Sequence, residues 1–410
     1  MSRRGAFNRT VLALGMTSFF MDISSEMVTA VVPLFLTVTL GFTPAAFGIY
    51  QAGYELANAA LRIVGGTIAD RTGRPKETAT AGYAVSTVTR AGLVASALVA
   101  IPAVPFLLID RLGKGLRTGP RDAMISLATP RKAWGAAFGV HRTMDAAGAL
   151  LGPLLAFVVL MALPNSFDSV FVISLCFALI SVAVIGTFVR NPTTQRRPMG
   201  QKVRTSIVAH WGSRGFRRIS VLAGALGLFS IGDGFVYLVI WDHARDGQTI
   251  GVGGFGSQYF PLLFVGTAVA YLVTATPLGK LADRIGRGRM WVAGHVVLAG
   301  VYAVLLTHPS STLGVIGVLV LLGLHYGATD GMLPALASGV IAPEVRSSGL
   351  SLLTTIVASS RAVSALLFGL IWGWMGADRA LVIAASGLCA VALAAAIHAI
   401  SSPDQSEFDV

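Results

Sequence analysis

The chain has 410 residues, and 12% of them are charged, about half the roughly 25% of a soluble domain; its mean hydropathy is +0.73. That composition excludes a soluble globular core and leaves a polytopic membrane protein. The net charge of +12 would suit nucleic acid, but the basic residues fall mostly in short loops on one side of the apolar runs, so no nucleic-acid partner is expected.

The first apolar run follows MSRRGAFNRT and continues past Asp22 and Glu26 to Leu40 without an A-x-A-like cleavage pattern. It therefore reads as a retained first helix rather than a signal peptide. Runs near the roughly 20 residues needed to cross a bilayer follow in order: 11–38, 46–69, 78–100, 104–127, 134–162 and 169–188, then 219–240, 258–281, 290–306, 313–341, 348–372 and 380–400. The expected fold is an all-α membrane protein of twelve transmembrane helices in two pseudo-symmetric six-helix bundles. Its expected parts are a bundle over 1–189, a basic linker over 190–218, a second bundle over 219–400 and an acidic, disordered tail over 401–410 (Asp404, Glu407, Asp409).

Alternation of those helices places Arg3, Arg4, Arg9, Arg71, Arg74, Lys76, Arg131, Lys132, Arg284, Arg287, Arg289 and Arg346 on one side. Opposite loops offer Arg245 and Arg379. Both termini are thus expected in the cytoplasm, with the protein in the plasma or inner membrane. The linker from Arg190 to Arg218 is basic and has no acidic residue, which suits an anionic lipid surface. Val203, Ile207 and Trp211 recur every four residues there, the pattern of a short amphipathic surface helix. The glycines between Trp241 and Gly256 follow no strand, so a dinucleotide loop is not expected. Cys176 and Cys389 lie in apolar runs, which argues against a disulfide or thiolate metal site; no cofactor or metal is expected.

Ionisable groups inside a bilayer cost roughly 2.5–3.5 kcal/mol each on insertion scales, so those present should pair or work. Asp22 lies about 18 Å along the first helix from Thr10 at 1.5 Å per residue, and Glu26 is one turn further on the same face. Two carboxylates that close repel when both are ionised, so they form a candidate proton-binding pair; separate neutralisation by arginines is the alternative. Glu55, Asn58 and Arg62 share a face of the second helix. On the fourth, Asp110, Lys114, Arg117 and Arg121 make one stripe that cannot face lipid. Arg142 and Asp145, three apart on the fifth, are expected to pair, and with Arg111 and Asp22 to form one network. The second half offers Asp233, His295, His325, Asp330 and Arg361. Of these, His325 and Asp330 could join proton transfer. The resulting cavity mixes both signs, so either a lipophilic cation or an anionic metabolite would find partners.

The stretch Gly66 to Lys76 reads GTIADRTGRPK, and Gly279 to Arg287 repeats its spacing 213 residues later. The same shift carries Pro130 onto Pro343 and Cys176 onto Cys389. Here the chain resembles the major facilitator superfamily, whose signature loop joins helices 2 and 3 and returns between helices 8 and 9. The resemblance implies a carrier with a substrate site between its halves, usually a monomer. It also implies a conformational latch at Gly66, Asp70, Arg71, Gly73, Arg74, Gly279, Asp283, Arg284, Gly286 and Arg287, with Asp122 as an acidic partner for Arg74.

Arg111 followed four residues later by Gly115 is similar to the family's fourth-helix motif, and Lys114 stands where Gln is commoner. Gly139, Gly148 and Gly152-Pro153 on the fifth helix resemble the motif of drug/proton antiporters, with Ala156-Phe157 replacing its final glycine pair. Those resemblances imply proton-coupled efflux through Asp22, Glu26, Asp145 and Asp233. Proton symport of a metabolite and movement of an amphiphile or lysolipid are the transport alternatives. The Gly-Lys pairs 113–114 and 279–280 lack a following Ser or Thr, against a P-loop pump. An intramembrane enzyme or a sensor lacks the expected motifs.

Overall fold

The computed structural model describes residues 8–57, 74–99, 101–130, 133–189, 213–245, 256–309, 311–341 and 346–401. Regular structure among the described residues is helical throughout, without strands. Nine helices there are long and apolar enough to cross a membrane. Arg62, Gly66, Asp70, Arg71 and Gly73, the surface helix expected around Val203–Trp211 and the acidic tail lie outside the described residues.

The chain divides into two compact units, one of Met1–Phe35 with Leu56–Lys202 and one of Leu36–Glu55 with Val203–Val410. The segment 36–55 therefore packs with the second unit, although it precedes most of the first in sequence.

The first unit is built around α1 (Arg9–Leu34). Asn8 caps it by accepting from the Thr10 amide at 3.1 Å. Pro33 removes a backbone donor near its end, and a π-turn over Phe35–Thr39 follows. Around it stand α3 (Pro75–Val99), α4 (Ala103–Ala128), α5 (Trp134–Ala162) and α6 (Phe167–Phe188). Pro75 opens α3 at the position where its missing N–H costs nothing. α3 and α4 meet backbone to backbone: a methyl group on Gly82 would sit 2.9 Å from the Gly113 carbonyl oxygen, and one on Gly113 2.8 Å from that of Gly82. Six charged residues keep α4 outside the set of nine apolar spans.

In the second unit, α2 (residues 44–57) is followed by α7 (Arg214–Gly227), α8 (Asp233–Arg245), α9 (Phe260–Ile285), α10 (Arg287–Leu305), α11 (Thr312–Thr329), α12 (Met332–Val340), α13 (Arg346–Met375) and α14 (Ala377–Ser401). Gly48 on α2 and Gly369 on α13 let the two backbones touch; a methyl on Gly48 would lie 2.5 Å from the Ala365 carbonyl oxygen.

Two expected helices are each broken. The apolar run 219–240 forms α7 and α8 with a non-helical stretch between Gly227 and Asp233. Run 313–341 likewise divides into α11 and α12 around Asp330–Gly331. Broken helices survive inside a bundle only where neighbours satisfy the freed backbone. Tyr302 of α10 does so at the first break. Its hydroxyl accepts from the Ile231 amide at 2.9 Å and donates to the Phe229 carbonyl at 3.3 Å. Ser364 of α13 donates to the Ser230 carbonyl at 3.3 Å.

Candidate functional site

The first unit holds a chain of buried charge along α4. Asp110, 1% exposed, accepts through one oxygen from Arg90 of α3 at 3.1 Å and from its neighbour Arg111 at 2.9 Å. Arg90 is wholly buried and also donates to Ser24 and Ser25 of α1, each at 3.3 Å. One turn along, Lys114 reaches Glu26 at 3.6 Å. Arg117 lies 3.8 Å from Asp22, donates to Ser86 at 2.8 Å and stands 5.0 Å over the Tyr83 ring. At the end of the stripe Arg121 pairs with Asp122 at 3.0 Å and with Asp145 at 3.6 Å. Ser18 binds this end together: its hydroxyl receives from Arg121 at 3.2 Å and lies 3.1 Å from both the Tyr83 hydroxyl and His141 Nε2.

Asp22 and Asp145 also face each other across α1 and α5. Small residues make that approach possible. A methyl on Gly148 would sit 2.5 Å from the Phe19 carbonyl oxygen, and one on Gly152 2.9 Å from the Glu26 Cβ and the Ile23 carbonyl oxygen. Pro153 is buried beside them. Gly139, about two and a half turns before Gly148, has nothing within 4 Å of such a methyl.

Several partners differ from those expected. Asp145 is held by Arg121 on α4, whereas Arg142, only three residues away, is exposed. Arg111 faces Asp110 and Arg90, and the partner of Asp22 is Arg117. Asp122 is engaged by its neighbour Arg121. Sequence reasoning missed Arg90, although a lone Arg in an apolar run was the available signal. It also missed Ser18, Tyr83 and His141, because the search for charged residues in apolar runs passes over hydroxyl and imidazole side chains.

In the second unit, the breaks bring carboxylates together. Asp233 begins α8 and accepts from the Tyr326 hydroxyl of α11; Asp330 caps the end of α11. Arg361 of α13 faces Asp233, Asp330 and Glu55 of α2. Glu55, Asp233 and Arg361 are half-buried and Asp330 is exposed. Three carboxylates thus lie within electrostatic reach of one guanidinium. His325 turns elsewhere: it is 2% exposed, lies 2.8 Å from the Gly294 carbonyl and packs edge-on to His295. It belongs to the seam between α10 and α11.

The turn after α9 shows what its glycine does. Gly286 adopts φ +98°, a conformation that side-chain-bearing residues rarely take, and its amide closes the helix on Ala282 at 3.0 Å. Asp283 and Arg287 pair across the turn at 3.1 Å. Arg284 lines the same polar depression, and Gly279 sits a turn and more back within α9.

Residues 14–365 match the family model described as Major Facilitator Superfamily. An uncharacterised MFS-type transporter of Methanocaldococcus jannaschii is 27% identical over 367 residues, covering 89% of each chain. An uncharacterised protein of Mycobacterium tuberculosis is 24% identical over 380 residues, covering 90% of this chain and 86% of its own. Among solved structures, the nucleoside transporter NupG superposes with a TM-score of 0.80 at 14% identity, over 94% of this chain and 98% of its own. A bacterial homologue of the human lysosomal transporter Spinster does so with a TM-score of 0.72 at 14% identity, over 96% of each.

Proposed function

Because the chain belongs to the Major Facilitator Superfamily, we propose that it is a secondary transporter that expels a small molecule in exchange for protons by alternating access. It is a multi-pass membrane protein of a transporter family and not an enzyme. The proposal extends to twelve spans in two six-helix bundles over 1–189 and 219–400, joined by a linker over 190–218. It places a monomer in the cell membrane with both termini in the cytoplasm. The observation that carries proton coupling is the pressing of α1 on α5 through Gly148 and Gly152, which sets Asp22 opposite Asp145 with Arg117 at 3.8 Å. Asp22, Asp145 and Asp122 meet two guanidinium groups, Arg117 and Arg121, so one bound proton best neutralises the set, and substrate can displace it.

Glu26 with Lys114, and Asp233 with Tyr326, extend the same logic along both units. Arg111, Arg142, Arg62, Lys114, Glu55, His325, Asp330 and Arg361 are the proposed cavity residues. Of these, Glu55, Asp330 and Arg361 have support in their common charge cluster, whereas His325 is held in a helix seam. Gly279, Asp283, Arg284, Gly286 and Arg287, with Gly66, Asp70, Arg71, Gly73, Arg74 and Asp122, are the proposed latch. Direction rests on the fifth-helix resemblance to antiporters. A second reading, uptake by proton symport, draws support from the excess of carboxylates around Arg361, which suits a cationic cargo.

The test begins with a thermal-shift screen of small molecules on purified protein at two pH values, since a ligand that binds the folded state stabilises it. Flux of a hit is then followed in oriented proteoliposomes. Asp22→Asn is expected to lose uphill transport driven by a pH gradient and to keep substrate counterflow. Uphill transport by that variant would remove Asp22 from the coupling. Flux running with the proton gradient in wild type would replace antiport by symport.

A further inference from the structure

Three helix ends of the second unit converge away from the charge cluster just described. His243 lies in the last turn of α8, His308 just past the end of α10, and Asp378 in the first turn of α14. One carboxylate spans both rings: His308 Nε2 is 3.1 Å from one oxygen and His243 Nε2 is 3.6 Å from the other. The two imidazoles stack with centroids 4.0 Å apart and planes 21° from parallel. One ligand atom from each of the three residues falls within 4.8 Å of the others.

The chemistry of that set is specific. Two imidazole nitrogens with one carboxylate oxygen are the ligands of open, four-coordinate zinc sites, with bonds of about 2.0–2.2 Å. Tetrahedral ligands at that length stand about 3.3 Å apart, between the two nitrogen–oxygen distances observed. Access is graded in the right sense. The His243 side chain is 7% exposed and forms a floor, while those of His308 and Asp378 are 32% and 51% exposed and form a mouth. His308 reaches its place from φ +48°, a left-handed backbone in which histidine is enriched over most residues.

We propose that His243, His308 and Asp378 form a divalent transition-metal site, suited to zinc, that ties together the ends of α8, α10 and α14. The site lies at the end of the unit opposite the Gly286 turn, because α10 runs from one to the other. Under the proposed topology that is the outer face, open to external metal. Its ion fixes the far end of α8, the helix whose first residue is Asp233, so occupancy bears on the carboxylate group without touching it.

Tag-free, EDTA-dialysed protein titrated with Zn²⁺ alone against a chromophoric chelator should bind one ion per chain and melt at higher temperature when loaded. His308→Gln and Asp378→Asn change the exposed mouth and should weaken binding by at least the roughly 10- to 100-fold that loss of an outer-shell partner costs. Cys389→Ser should leave it unchanged. Equal affinity in wild type and both variants, or no stoichiometric binding, would leave a hydrogen-bonded imidazole–carboxylate cluster and overturn the proposal. X-ray absorption on zinc-loaded wild type provides a check independent of variant folding. Two imidazoles in the shell support the site, and a sulfur or all-oxygen shell sinks it.

Discussion

Removing Asp110 should harm the first unit far more than removing Arg90, although the two form one ion pair. Asp110 accepts from Arg90 at 3.1 Å and from Arg111 at 2.9 Å, with both cations at most 5% exposed. At such a separation and an effective dielectric constant near 20, one pair attracts by about 5 kcal/mol, most of which desolvation offsets. Arg90→Met leaves Asp110 with Arg111, so its cost is near the about 1–3 kcal/mol of lost buried hydrogen bonds. Asp110→Leu strands two guanidinium groups together, and the roughly 3–5 kcal/mol of a broken buried pair is its lower bound.

The assay is thermal unfolding in detergent, followed by tryptophan fluorescence. Asp110→Leu should melt well below Arg90→Met. A triple variant, Arg90→Met with Asp110→Leu and Arg111→Met, should recover much of the loss because no unpaired charge remains. If Asp110→Leu melts no lower than Arg90→Met, or if the triple variant is the worst of the three, the charge accounting is wrong.

Gly152→Val should destabilise by about 1–3 kcal/mol through overpacking against Glu26 and Ile23, whereas Gly139→Ala, with open space around it, should be neutral; paired melting curves decide. Tyr302→Phe should cost about 1–3 kcal/mol by leaving the Ile231 amide without an acceptor, and amide hydrogen exchange should rise at 228–232 before it rises elsewhere. Gly286→Ala forces a methyl into φ +98° and should cost about 1 kcal/mol or more; retention of full stability would show that the turn relaxes at no cost.

Spanning helices were legible because an apolar run of bilayer length needs no partner to reveal it. The Gly286 turn was also legible because it depends on local backbone geometry, and the Gly148–Gly152 face because small residues one turn apart mark a place where another helix can approach. The break between α7 and α8 was not. Its residues, Leu228-Phe229-Ser230-Ile231-Gly232, continue an apolar run, and the hydroxyl that satisfies them comes from Tyr302, 71 residues beyond Ile231. Pairing was opaque for a similar reason. Helical periodicity placed Asp110, Lys114, Arg117 and Arg121 on one stripe, but which carboxylate each would meet depends on neighbouring helices. Arg142 and Asp145 had the right spacing to pair along α5. Arg121, arriving from α4, is the cation Asp145 meets in the fold.

The packing of α2 on α13 also has a consequence for biosynthesis. Gly48 leaves the ribosome early, but Ala365 and Gly369, against which it closes, follow roughly 300 residues later, a delay on the order of 15–60 s at about 5–20 residues per second. Throughout that interval Gly48 of α2 stands without its mate. Insertion must therefore tolerate an unfinished seam, and a chain halted before residue 365 should expose it to quality control.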